Sequence, residues 1–390
     1  MKGMKTLRSG RNRRKWIYVL LLMGLLGLSG CGSPSSASVE MSSQTELVKT
    51  GSMELQYAEN FAVDYYEDGY KMLTTLPDSK RYLIVPEGQP VPRGLDEDVS
   101  ILQEPLQNIY LVASGVMDMF ASVDAVDQVR FSGQKQENWY IQTAKDAMAA
   151  GDMIYAGKYS KPDYELLVSE GCDLAIENRM ITHSPEVVEM LQSFDIPVMI
   201  EYSSYEQHPL GKVEWVKFFG ALTGKEAEAE EAFAEQTEIL EEVESGEKTG
   251  KTIAFFYVTS NGLIQVRQST DYIPKLIELA GGRYIFEDLE DSGSGRSTLN
   301  MQVEDFYAGA KDADILIYNS SIDGGVTTLD ELIGKCNILK DFKAVQEGQV
   351  YCTTNDMYQQ SMAIGYLLQD MHTVLTDDDT AKLRYLFLLQ

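Results

Sequence analysis

The chain has 390 residues and carries 33 lysines and arginines against 60 aspartates and glutamates, a formal net charge of −27 at pH 7. So acidic a surface argues against nucleic acid as a partner and against electrostatic attachment to anionic lipid. The length suits about two domains.

Residues 1–30 hold Lys2, Lys5, Arg8, Arg11, Arg13, Arg14 and Lys15 and no acid, followed by an apolar run from Trp16 to Leu28. That run is shorter than the ~20 residues a membrane helix needs, and a basic head before a short apolar stretch is the pattern of a secretion signal. It ends in Leu28-Ser29-Gly30-Cys31, which resembles the lipobox of bacterial lipoproteins. The resemblance implies that Cys31 is lipidated and becomes the new amino terminus, holding the protein at the extracytoplasmic face of the cell membrane. Several acyl chains on one cysteine anchor far better than one. Loss of the leader leaves 26 basic residues against 60 acidic ones, a net charge of −34. Cys172, Cys336 and Cys352 remain, an odd number that cannot all pair. Cys336 and Cys352 could form a bridge or stay as buried thiols.

Residues 31–51 are serine-rich, lack apolar periodicity and read as a flexible tether. From 52 to 92 the pattern alternates, as in Met53–Tyr57, Tyr70–Thr75 and Arg81–Val85, and predicts short antiparallel strands. A βα series follows, with strands at 109–113, 127–131, 151–155, 173–176 and 197–200. Between them lie helical segments at 116–123, 141–148, one opened by Pro162, and 187–194; a helix over 215–222 closes the lobe. Such alternation predicts a largely parallel sheet covered on both faces.

Lys225–Glu244 is rich in alanine and glutamate, strong helix formers. Its apolar residues, Ala229, Ala232, Phe233, Ile239, Leu240 and Val243, form one stripe interrupted at Gln236. This predicts a rod of roughly 30 Å, with the segment 224–246 joining a lobe at 52–223 to one at 247–390. After it the grammar repeats, with strands at 251–258, 314–318 and 349–351, and helices at 272–280, 303–310, 329–333 and 361–375. The repetition has a specific core. Pro162-Asp-Tyr-Glu165 leads to Asp173-Leu-Ala-Ile-Glu-Asn178, and Gln302-Val-Glu304-Asp leads to Asp314-Ile-Leu-Ile-Tyr-Asn319. The expected fold class is therefore α/β, two Rossmann-like lobes with mainly parallel sheets bridged by a single long α-helix.

These pieces, with Ile196-Pro197-Val198, Leu222-Thr-Gly-Lys-Glu-Ala-Glu-Ala, Leu279-Ala-Gly-Gly282 and Phe342-Lys-Ala-Val345 through Gly348-Gln-Val-Tyr351, resemble the substrate-binding lipoproteins of ABC importers for iron complexes and cobalamin. The resemblance spans roughly 105–390. It implies a monomer that captures a siderophore, haem or corrinoid between two lobes and hands it to an ABC permease and its ATPase. The chelate would be cargo, with no resident cofactor. The resemblance also assigns a glutamate in each lobe, here Glu165 and Glu304, to docking on permease arginines; two acids at fixed separation can register a basic partner.

In parallel α/β sheets ligands bind beyond the carboxyl ends of strands. Those ends nominate Tyr155, Tyr159, Arg179, Tyr202, Tyr205 and His208 in the first lobe and Tyr257, Arg267, Arg296, Asn319 and Tyr358 in the second. Tyrosine suits a large, partly polar ligand, and arginine grips carboxylates and phosphates bidentately. A bare metal ion is the poorer alternative, because first-row metals prefer imidazole or thiolate and the three histidines, His183, His208 and His372, are dispersed. His183 or His208 could instead serve as an axial ligand to haem iron. No Gly-x-Ser-x-Gly elbow, His-Glu-x-x-His or phosphate-binding glycine loop is present, which argues against an enzyme. A surface sensor of the same fold is the remaining alternative.

Overall fold

Among the described residues, two five-stranded sheets precede the long acidic helix and a seven-stranded sheet follows it. The structure, a computed structural model, describes residues 47–289, 297–320, 325–377 and 380–390. The leader, Cys31, most of the tether and Arg296 lie outside the described residues.

The first sheet is an antiparallel meander of β1 (Lys49–Ser52), β2 (Phe61–Tyr66), β3 (Lys71–Thr75) and β4 (Lys80–Val85), with β5 (Val99–Gln103) added parallel to β4. Two expectations change here. The end of the segment read as tether, from Lys49, is already strand. Met53–Tyr57 is not a strand: the Met53 N–H still reaches the Val63 carbonyl at 2.8 Å, but carboxylates take the donors from Gln56 onward. The N–H groups of Gln56, Tyr57 and Ala58 all donate to Glu214, at 2.8–3.1 Å, and those of Glu59 and Asn60 donate to Glu206 at 2.9 and 3.0 Å.

The second sheet is wholly parallel. The chain runs β6 (Ile109–Leu111), α1 (Val116–Ser122), β7 (Val129–Ser132), α2 (Gln142–Ala150), β8 (Ile154–Tyr155), a ribbon of β9 (Gly157–Lys158) and β10 (Lys161–Pro162), α3 (Tyr164–Ser169), β11 (Leu174–Asn178), α4 (Pro185–Ser193) and β12 (Val198–Glu201). The spatial order is β12-β11-β6-β7-β8. Its strands are apolar because both faces are covered. Leu174 and Ile176 enter the main core, while Tyr110 and Ala175 pack toward Leu167 of α3 and Val187 and Leu191 of α4.

Next comes α5 (Pro209–Thr223), longer than the predicted 215–222. Proline at its first position suits a helix start, and His208 caps it, Nδ1 accepting the Leu210 N–H at 3.2 Å. The helix is buried from Pro209 to Leu222, including Lys212, Glu214 and Lys217. These charges look solvated in the sequence but are held inside. Gly224, at φ +71°, ends the helix, and α6 (Glu226–Glu244) follows. A Cβ on Gly220 would lie 2.5 Å from Ala229 Cβ, so the two helices touch backbone to backbone. Lys217 Nζ reaches Glu230 of α6 at 2.9 Å.

The last part contains β13 (Thr252–Val258), β14 (Ile264–Arg267), α7 (Tyr272–Leu279), β15 (Arg283–Tyr284), β16 (Thr298–Met301), α8 (Val303–Ala310), β17 (Ile315–Tyr318), α9 (Leu329–Lys335), α10 (Lys343–Gln346), β18 (Val350–Thr353), α11 (Ile364–Thr376) and β19 (Leu386–Leu388). The heart of its sheet, β15, β13, β17 and β18, is parallel. Antiparallel β14, β16 and β19 extend it at the edges.

Helix α6 is not a free-standing strut. It packs on α5 from the first half and α11 from the second, burying Ala229, Phe233, Gln236, Ile239, Leu240 and Val243 while leaving Ala232 half-buried. The main apolar cluster runs through both halves, from Leu111 and Phe219 through Phe233 to Ile273, Leu367 and Leu386. Among the described residues Cys172, Cys336 and Cys352 form no disulfide, and the last two are buried in the second-half core.

Candidate functional site

A cavity of about 530 Å³ opens beyond the carboxyl ends of β6, β11 and β12, within the usual range for small-molecule sites. Ser114 and Gly115 follow β6; Asn178 ends β11, with Arg179 and His183 after it; Glu201 ends β12, with Ser203 and Tyr205 after it. Lys212 enters from α5, and Tyr358 and Ser361 come from the second half.

The wall from the second half is held by named bonds. Gln359, fully buried, accepts the Tyr140 N–H at 2.8 Å and donates to the Asn138 carbonyl at 2.9 Å. It also bonds the Tyr358 hydroxyl at 2.9 Å, and the Tyr358 ring meets Tyr140 edge-on, centroids 6.4 Å apart. The Met362 N–H donates to Asp118 of α1 at 2.7 Å. Gly115 leaves room for this wall, since a Cβ there would lie 2.7 Å from Ser361 Oγ.

The charged lining is ordered. The Arg179 guanidinium lies over the Tyr205 ring, 4.2 Å from its centroid, a cation–π arrangement. Glu201 accepts from Ser203 N–H at 2.8 Å and Ser203 Oγ at 2.6 Å. Burial raises its pKa, and the Ser203 bonds work against that rise. Burial likewise pushes Asp118 up to about 6.

Of the residues nominated from strand ends, Arg179, Tyr205 and Tyr358 line this cavity. Tyr155 sits exposed on β8, and Tyr159 packs on the core under α3 and α4. Tyr202 is buried in the main core. His208 is spent capping α5 and stacking on Tyr57, 4.4 Å between centroids; it lines a smaller hollow of about 300 Å³ with Glu59, Asp271 and Lys275. Arg267 pairs with Asp271 at 3.4 Å. Tyr257 tilts against Tyr318, and Asn319 is buried with its N–H on the Phe256 carbonyl at 2.8 Å. Lys212, Glu201, Ser203 and Gln359 were not nominated. Lys212 lies in a stretch not read as helix, and Gln359 acts through a loop contact that no periodicity reveals.

A larger hollow of about 930 Å³ lies at the opposite, amino edge of the parallel sheet, among Glu104–Asn108, Val126–Arg130 and Gly151-Asp152. Its lining acids, Glu87, Glu104, Asp124, Asp127 and Asp152, face a single arginine, Arg130, already bonded to the Gly151 and Asp152 carbonyls and Glu170. None of its lining residues comes from the half that follows α6, and the cavity at the carboxyl edge is the better candidate. Among the described residues, no cluster of three or more His, Cys, Asp or Glu side chains could hold a metal ion.

Two α/β halves closing over a cavity at their sheet edges define a solute-binding architecture. The chain belongs to the periplasmic binding protein family, which matches residues 114–357, a family of binding proteins and not of enzymes. It is 24% identical over 394 residues to the uncharacterized lipoprotein MJ0878 of Methanocaldococcus jannaschii, covering 92% of each chain. With the lipoprotein MJ0872 of the same organism it shares 23% identity over 89% of this chain and 90% of that one. Solved structures share the fold. A possible iron-binding (periplasmic solute-binding) protein from Staphylococcus epidermidis gives a TM-score of 0.54 at 16% identity, covering 69% of this chain and 98% of that one. The periplasmic heme-binding protein HutB of Vibrio cholerae gives 0.54 at 14%, covering 68% and 98%. An ABC-type Fe3+-hydroxamate transport protein from Saccharomonospora viridis gives 0.53 at 17%, covering 69% and 93%.

Proposed function

We propose that the protein captures an iron complex, siderophore or haem, or a corrinoid in the 530 Å³ cavity and delivers it to an ABC permease. A lipid on Cys31 would hold it at the outer face of the membrane. Residues 52–223 and 247–390 would act as the two lobes, with 224–246 linking them. The observation that carries this reading is the cavity's construction: three parallel-strand ends on one side and Tyr358–Ser361 of the other half opposite them. Iron binding by the S. epidermidis protein, heme binding by the V. cholerae protein and Fe3+-hydroxamate transport by the S. viridis protein support the cargo class. Binding and docking suffice, and no chemical step is required.

Glu165 and Glu304 suit the docking role. Each is exposed in the first turn of a corresponding helix, α3 and α8. Native mass spectrometry of the protein purified from its own host tests the cargo. A co-purified chelate carrying iron or cobalt is expected; a bound peptide or sugar would overturn the assignment.

A further inference from the structure

Lys212 is a buried lysine at the cavity that forms no direct ion pair among the described residues. Its residue is 6% exposed and lines the cavity, and its ammonium lies 4.8 Å from the centroid of the Tyr272 ring of α7. The acids whose charge it feels are Asp118, Glu201 and Asp271, and each has other partners. Asp118 accepts the Met362 N–H at 2.7 Å, Glu201 is bonded twice by Ser203, and Asp271 is shared between the Ile273 N–H at 2.9 Å and Arg267 at 3.4 Å. A charge removed from water without a partner is costly unless something supplies one. Here the cavity that Lys212 lines is where such a partner can arrive. Arg179, stacked on Tyr205, places a second cation in the same lining. Two cations in one cavity contrast with a body that is otherwise strongly acidic.

We infer that Lys212 is a ligand-binding residue that receives an oxyanion of the cargo, a carboxylate, phenolate or phosphate oxygen, so that the site selects anionic chelates over neutral ones. This rests on the cavity being the ligand site. The position of Lys212 gives it a second consequence. It stands between α5 of the first half and Tyr272 of the second, so an anion drawn to it sits at the seam where both halves can close on it.

The test uses the full chain and three probes: ferric tris(2,3-dihydroxybenzoate), which is anionic, a ferric trihydroxamate of zero net charge, and free citrate. Chelate binding is read by quenching of intrinsic fluorescence, and citrate by the 15N signal of the Lys212 ammonium. The wild type should prefer the anionic chelate. Lys212→Met should weaken that binding about tenfold or more and affect the neutral chelate far less, and Lys212→Arg should restore part of the loss. Thermal melting of both variants verifies folding, and the citrate shift in the wild type gives a readout independent of any variant. Equal binding of the anionic chelate by wild type and Lys212→Met, or preference for the neutral chelate, would overturn the inference and leave the importer reading standing. A citrate shift without binding of either chelate would support the oxyanion site and overturn the chelate reading. Absence of both would overturn the two together.

Discussion

Asp173 and Asp314 occupy the same structural position in the two halves of the molecule. Each stands one residue before a parallel strand, β11 or β17, and each carboxylate accepts the backbone N–H directly across from it on the neighbouring strand. Asp173 takes Asn108 at 2.9 Å and Gln107 at 3.0 Å, and Asp314 takes Thr252 N–H at 2.7 Å and Thr252 Oγ1 at 2.9 Å. The registers agree, Leu174 opposite Ile109 and Ile315 opposite Ile253. The aspartate thus pins the entry of the adjacent strand. Lys343 adds a third bond to Asp314 at 2.6 Å. Burial pulls the Asp314 pKa up, but Lys343 and Thr252 together hold it below the usual carboxylate range. Asp314→Ala strands donors of the buried Thr252 and should cost about 1–3 kcal/mol; Asp173→Ala frees donors on exposed Gln107 and half-buried Asn108 and should cost less in urea unfolding. Because its folded pKa is depressed, the Asp314 contribution is present at neutral pH and fades as pH falls through the acid range.

Glu177 makes the opposite prediction. It is fully buried on β11, neither carboxylate oxygen has a partner among the described residues, and burial pushes its pKa up to about 8. The folded state therefore holds a proton that the unfolded chain releases nearer 4.5. Stability from this group is complete below that value and falls as pH rises through about 8. Glu177→Gln keeps the shape and removes the ionisation. Above pH 8 it should be more stable than the wild type by on the order of 5 kcal/mol, and near pH 4.5 the two should melt alike. A wild-type melting curve flat from pH 5 to 9 would contradict this.

The parallel heart of both halves was legible because buried strands are continuous apolar runs such as Ile253–Val258 and Leu174–Ile176. The duplication was legible because Asp173 and Asp314 keep their spacing from the strands they pin. β14 and β16 were not: each has four residues, β14 alternating between buried and half-buried and β16 with no buried residue at all, too short or too even a pattern to read. The start of α5, Pro209–Glu214, is hidden in the sequence for an electrostatic reason: Lys212 and Glu214 look like a solvated face, yet both are buried and Glu214 is consumed by loop N–H groups. Tyr358 lines the cavity and Tyr257 does not, although both follow the same strand-end logic. That difference comes from the fold of the 357–362 loop, which carries no repeating pattern.

Gln236 was read as an interruption of the apolar stripe of α6, and it is a link. Buried at 3% exposure, its Oε1 accepts the Gly365 N–H of α11 at 2.9 Å. Gln236→Leu would improve the stripe and leave that N–H unsatisfied, so a net loss of about 1–2 kcal/mol is expected. Denaturant unfolding measures it; a stabilised variant would mean that the bond is dispensable.

Glu165 and Glu304 separate the importer from a sensor of the same fold. Both are exposed, so reversing their charge should leave folding within about 0.5 kcal/mol of wild type. If they register a basic permease, Glu165→Lys with Glu304→Lys should abolish uptake of the cargo by whole cells while its affinity for the purified protein is unchanged. Undiminished uptake would remove docking from these two residues.

Gln359 decides how far the halves can move. Three hydrogen bonds fix it between Tyr358 and the 138–140 loop of the first half, the Asp118 bond to Met362 lies close behind, and one apolar cluster continues through α5, α6, α7 and α11. Opening would have to break these bonds and wet that cluster, so ligand binding should alter the angle between the halves only slightly. X-ray scattering with and without ligand should give nearly superimposable profiles, and a large drop in radius of gyration would refute this. Gln359→Ala removes the tie without touching the apolar cluster. It should release Tyr358 from its edge-on contact with Tyr140, widen the scattering difference between free and bound protein, and lower ligand affinity mainly through a faster off-rate. Unchanged scattering and affinity in this variant would place the restraint in the apolar cluster alone.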